Sequence, residues 1–158
     1  MITKRISLKK HPIDLMGYGV PGRWNKGGIR VIYTASTLAL ATLESLIHRN
    51  GYGFNSDFAT VFIEIPDDLP ITEIRTKDLP EGWNSVDSYG ISQELAEQWI
   101  KKGETAVLKV PSAVIPDEYN YVINSLHHDT IKIKIVEVTD YVPDPRIEEI
   151  LKKRPTTG

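Results

Sequence analysis

Apolar residues recur at two different spacings along this chain, and the switches between them divide it into short strands and helices. Residues 2–6 form a first short strand. Residues 29–33, 60–65, 71–74, 106–110 and 119–124 read as further strands, with Pro66 and Pro111 stopping two of them. Residues 131–138 alternate Ile and Lys, then change phase at Val136-Glu137-Val138, the mark of a strand carrying a bulge.

Helical spacing appears in two places. After Ser36, a plausible N-cap, Ala39, Leu40, Leu43, Leu46 and Ile47 form an apolar stripe that Gly51 terminates. Residues 92–102 make a second helix, with Glu94 near its start and Lys101, Lys102 and Gly103 at its end, as the helix dipole favours. Asp144 and Pro145 open a last helix that runs to Arg154. Residues 78–90 are rich in turn formers and read as a surface excursion. The interspersed elements show no regular βαβ rhythm, repeat or linker. They predict one mixed α+β domain over residues 1–158, with largely antiparallel sheets and flanking helices.

Composition narrows the function more than the fold. A net charge of −2 offers no basic excess for a nucleic-acid backbone, so direct nucleic-acid binding is not expected. The absence of cysteine excludes disulfides, thiol nucleophiles and thiolate-bound zinc. No signal peptide or membrane-length apolar run stands out, which predicts a cytoplasmic protein. His11, His48, His127 and His128 lack a convincing metal-ligand pattern, although Asp129 follows the last pair. No metal is expected.

The candidate chemistry begins in a long loop containing Gly17, Gly19, Pro21, Gly22, Gly27 and Gly28. Arg23 in this loop either pairs with a surface acid or grips a diphosphate with its planar fork. Trp24 reads as a core anchor and Asn25 as a turn residue bonded to nearby backbone. Tyr33 either packs or stacks on an aromatic ligand. Glu44 flanks the apolar stripe, either as an i,i+4 partner of His48 or as a desolvated functional carboxylate. Ser112 directly follows a strand, yet no Gly-x-Ser-x-Gly surrounds it to make it a hydrolase nucleophile.

The order of these residues resembles the RES-domain family. Gly22-Arg23-Trp24-Asn25, Val31-Ile32-Tyr33, Leu43-Glu44-Ser45-Leu46-Ile47-His48, Val110-Pro111-Ser112-Ala113 and Asn120-Tyr121-Val122-Ile123-Asn124 carry the likeness. One departure follows Asn124, where the family's proline and His-Pro-Asp step give way to Ser125-Leu126-His127-His128-Asp129. The resemblance implies a fold similar to diphtheria-type ADP-ribosyltransferases, with NAD bound as a substrate in a cleft between sheets and no cofactor. It implies a toxin silenced by an Xre-type helix-turn-helix antitoxin. It also implies NAD breakdown by hydrolysis or phosphorolysis, or ADP-ribosylation of a host protein, with a catalytically silent binding module that keeps the fold for complex formation as a further alternative. In that scheme Arg23, Tyr33, Glu44 and Ser112 are catalytic, while Arg5, Trp24, Asn25 and Asn120 bind NAD. Ser92 is a further serine that could line the site.

Overall fold

The structure, a computed structural model, describes residues 1–48 and 54–152. Seven strands form one sheet: β1 (Ile2–Leu8), β2 (Val31–Ala35), β3 (Phe58–Glu64), β4 (Ile71–Glu73), β5 (Val107–Pro111), β6 (Tyr119–Asn124) and β7 (Lys134–Asp140). Their order is β4-β5-β6-β2-β1-β3-β7, antiparallel throughout except for the β4–β5 pair. Among the described residues three α-helices complete it: α1 (Leu38–His48), α2 (Tyr89–Lys102) and α3 (Pro145–Lys152).

The sheet is continuous but weakly joined at its centre. β2 pairs with β6 over its whole length, and β1 pairs with β3 over seven residues. β1 and β2 meet at a single pair, Lys4 opposite Ala35. Ile32, Val61, Ile63, Val107 and Ile123 bury one face of the sheet. On the other face α2 lays Ala96 and Trp99 over Leu108, Val110 and Val122. α1 packs Leu40, Ala41 and Leu46 toward Ala35 and Ile6 at the weak joint.

Several expectations shift here. The N-cap of α1 is Thr37, not Ser36: the Thr37 hydroxyl accepts from the Leu40 amide at 3.1 Å, satisfying one of the helix's free N–H groups. Gly51, the expected helix stop, lies outside the described residues, as does the end of the last helix at Arg154. The buried face of α1 is Leu40, Ala41, Thr42 and Leu46, so Leu43 and Ile47 of the predicted stripe are exposed. Leu40, Ala41 and Leu46 pack toward Ala35 and Ile6, which turns Leu43 and Ile47 away from that contact.

The excursion at 78–90 is not wholly on the surface. It sends Trp83 to a 5% exposed position, its ring centroid 6.1 Å from that of Trp24. Residues 131–132 are not strand but the end of a 3₁₀ turn, His128–Lys132, which leaves Ile131 exposed. The bulge is present: Phe62 faces Glu137 and Ile63 faces Ile135, leaving Val136 as the extra residue.

Candidate active site

A cleft of about 370 Å³, within the range that binds small molecules, opens beside the β1–β2 joint. Its walls are Arg5 of β1, the loop from Met16 to Trp24, Tyr33 of β2, Glu44, Ile47 and His48 of α1, Tyr89 of α2, and Ala113, Val114 and Asn120. The strand register explains the convergence. Lys4 faces Ala35, Ala35 faces Asn120, and Asn120 faces Val110, one row across four strands. Arg5, Tyr33 and Ser112 each lie within two residues of that row. α1 runs directly after β2 and lowers Glu44 onto it.

Glu44 is the best-supported side chain in the cleft. Its Oε1 accepts from Ser112 Oγ at 2.7 Å and from Asn120 Nδ2 at 2.6 Å. Its Oε2 lies 4.0 Å from His48 Nε2, and the side chain keeps 20% exposure. Ser112 is fully buried, and its Oγ also accepts from the amides of Val114 and Ile115 at 3.0 Å each. The serine therefore links a backbone turn to the carboxylate. Oε1 is held by two hydrogen bonds, Oε2 has only His48 near it among the described residues, and the residue lines the cleft.

Tyr33 is fixed at its hydroxyl, which donates to Asn25 Oδ1 at 2.6 Å and accepts from the Trp24 amide at 2.9 Å. Burial pushes this phenol well above its ordinary pKa, so it stays protonated. Asn25 is 1% exposed, and its Nδ2 donates to the carbonyls of Val20, Lys26 and Ile29. Both ends of the Asn25 amide are thus engaged within the protein. Trp24 is buried against Trp83 as a core anchor, although its edge borders the cleft.

Arg23 is neither paired with a surface acid among the described residues nor left open as a fork; backbone carbonyls hold it. Nη1 donates to the Trp83 carbonyl at 2.9 Å and Nη2 to those of Asn84 and Ser85 at 3.3 and 3.1 Å. Its guanidinium lies 4.3 Å from the Tyr89 ring centroid, a cation–π contact. By contrast, the Arg5 side chain forms no hydrogen bond or ion pair among the described residues, though Asp14 and Tyr18 act on it through space. Burial lowers its pKa from the usual guanidinium value, against the pull of those two groups. A second cavity of about 160 Å³ adjoins the cleft and shares Arg5, Tyr33, Glu44, His48 and Asn120 with it.

The glycine loop is held from both ends. Gln93 of α2 donates to the carbonyls of Gly22 and Asn25, and Lys26 pairs with Glu97. Ser125, at the departure from the family pattern, accepts from the Gly17 amide at 3.1 Å and donates to the Arg30 carbonyl at 2.8 Å. A proline there would make neither bond. Ser92 is away from the cleft, buried in α2, with no hydrogen-bond partner for its hydroxyl among the described residues. His127, His128 and Asp129 do come together, within 4.8 Å. His127 nevertheless bonds the Gly103 carbonyl through Nε2 and the Asp129 amide through Nδ1, so both of its ring nitrogens are engaged.

Sequence reasoning did not find Tyr89, Ser88 or Gln93 as site residues. Their contacts to Arg23 and to the glycine loop span more than sixty residues, and no local pattern signals such pairing. Among the described residues no helix is long and apolar enough to cross a membrane.

Comparison with known proteins bears on the family and the fold. The RES domain family model matches residues 4–146. A protein of Sphingobium sp. (strain YBL2) named "Prs ADP-ribosylating toxin" is 39% identical over 139 residues, covering 85% of this chain and 86% of its own. "Toxin Res" of Yersinia enterocolitica is 32% identical over 153 residues, covering 94% of this chain and all of its own. Among solved structures, one chain of the M. tuberculosis MbcT–MbcA toxin–antitoxin complex superposes with a TM-score of 0.75 at 15% identity, covering 97% of this chain and 89% of that one. At that identity the likeness concerns the fold.

Proposed function

Because this chain belongs to the RES-domain family, we propose that it is the toxin of a toxin–antitoxin pair and cleaves the nicotinamide–ribose bond of NAD. The observation that carries the reading is Glu44, a carboxylate lining the cleft with one oxygen anchored by Ser112 and Asn120. Breaking the bond sends its electron pair to nicotinamide, which leaves neutral, and positive charge builds on the ribose. A fixed carboxylate stabilises that charge more in the transition state than in the ground state. No reorganisation of Glu44 is needed at that moment, because its bonds to Ser112 and Asn120 already hold it.

The remaining walls suit the rest of the substrate. Tyr33 offers an aromatic face whose hydroxyl is already satisfied, so the ring stays in place as nicotinamide arrives and leaves. Arg5 is the cation available for a phosphate or ribose edge. Arg23 supports the reading through the cleft wall: it ties residues 83–85 and Tyr89 to the glycine loop. A small Xre-type antitoxin is the expected partner, since an unrestrained NAD-consuming enzyme harms its own cell.

A second reading, ADP-ribosyl transfer to a protein, shares the same first bond-breaking step. The name of the Sphingobium relative favours it. Incubating the purified, antitoxin-free protein with NAD, with and without phosphate, separates the outcomes by product. ADP-ribose marks water as acceptor, and its 1″-phosphate marks phosphorolysis. Nicotinamide release that depends on an added protein, with ADP-ribose found on it, moves the assignment to the second reading. No nicotinamide under any of these conditions overturns both.

A further inference from the structure

Glu44 accounts for departure of nicotinamide but not for the acceptor's proton. Water or a hydroxyl group that attacks the ribose must lose a proton as its oxygen bonds to C1, and that proton needs a base within reach. Most polar groups around Glu44 are unsuited. Ser112 Oγ is buried and fully bonded. The Tyr33 phenol is engaged with Asn25 and Trp24. The Lys4 ammonium holds the carbonyls of Ile2 and Ser36. Arg5 is a permanent cation.

His48 is placed differently. It stands on α1 one helical turn after Glu44, and its Nε2 lies 4.0 Å from Glu44 Oε2. It borders both the main cleft and the smaller cavity, so it stands at their junction. Its side chain is 61% exposed, which lets it pass a proton on to solvent.

We propose that His48 is a catalytic residue of the acceptor half-reaction, serving as general base for a hydroxylic acceptor bound in the smaller cavity. The proposal rests on the NAD-cleaving reading above. The acceptor O–H gives its proton to the His48 ring, and its oxygen forms the new bond to ribose C1. Nicotinamide departs with the electron pair of the C–N bond. The imidazolium then returns its proton to water. Such a base implies an acceptor that carries a proton, water or a protein hydroxyl, rather than an anion that needs none.

The test compares wild type, His48→Gln and Glu44→Gln with NAD in phosphate-free buffer, with and without sodium azide. Azide is an anionic nucleophile with no proton to remove. Wild-type protein should yield nicotinamide and ADP-ribose. His48→Gln should lose on the order of 10²-fold in rate, and azide should restore its nicotinamide release while yielding ADP-ribosyl azide. Azide should not restore Glu44→Gln. If His48→Gln turns over like wild type, or is slow and not rescued by azide, the proposal is overturned while the NAD reading stands. If the wild-type protein releases no nicotinamide, the reading and the proposal fall together.

Discussion

Ser112→Ala should separate support of Glu44 from contact with substrate. The hydroxyl is fully buried and makes three hydrogen bonds: one donated to Glu44 at 2.7 Å and two accepted from the Val114 and Ile115 amides at 3.0 Å. The bond to the carboxylate is charge-assisted and contributes about 1.5–3 kcal/mol. The two amides are only partly buried and recover some hydration once the hydroxyl is gone. A total loss of roughly 3 kcal/mol follows, which for a chain of this size lowers Tm by roughly 6–12 °C. Glu44 keeps its bond to Asn120 but loses half of its restraint. If the whole 1.5–3 kcal/mol is felt in the transition state, turnover falls by about 10- to 10²-fold. Thermal unfolding by circular dichroism and nicotinamide release at saturating NAD measure both quantities. An unchanged Tm with unchanged kcat would refute the reasoning. A raised KM with unchanged kcat would mean that Ser112 contacts the substrate rather than holding the carboxylate.

Other consequences can be checked one residue at a time. At Gly17 an added Cβ would sit 2.6 Å from the Val31 amide nitrogen and 2.7 Å from the Arg30 carbonyl carbon, backbone atoms that cannot yield cheaply. Gly17→Ala should therefore lower Tm sharply, whereas Gly27→Ala, with nothing within 4 Å, should leave Tm unchanged or slightly higher. Arg23→Lys should lose roughly 1–3 kcal/mol in chemical denaturation, because an ammonium cannot span the carbonyls of Trp83, Asn84 and Ser85; unchanged stability would contradict that role. Tyr33→Phe should be less stable than wild type near neutral pH. Since the folded phenol titrates above its unfolded value of 10.0, the unfolded state loses the proton first, and the advantage of tyrosine should shrink as pH rises above that value. A constant difference across that range would count against the buried phenol.

The local parts of this molecule were legible in its sequence. Helical spacing located α1 and set Glu44 at the edge of its apolar side, and glycine spacing located the cleft loop. Pro111 marked the end of β5 and hence the position of Ser112. The phase change at Val136 announced a bulge that the register confirms. Pairings between distant segments were not legible, because periodicity reports which face a residue occupies and not what lies against it. Arg23 read as the partner of a surface acid or of a diphosphate, yet its partners are backbone carbonyls some sixty residues away. Ser112 and Asn120 were each singled out, but their convergence on one Glu44 oxygen depends on the β2–β6 and β5–β6 registers. The rotation of α1 that exposes Leu43 and Ile47 arises in the same way, from the strip of sheet it has to cover.

The most direct test of the account is nicotinamide release from NAD by the wild-type chain and by Glu44→Gln, measured on samples matched for melting temperature. The amide oxygen of glutamine can still accept from Ser112 and Asn120, so the fold and the position of the group should persist while the charge is lost. The account predicts steady release by wild type and a fall on the order of 10² to 10³ in the variant. Equal release by two folded proteins would contradict the role given to Glu44, and no release from folded wild-type protein would contradict NAD cleavage itself.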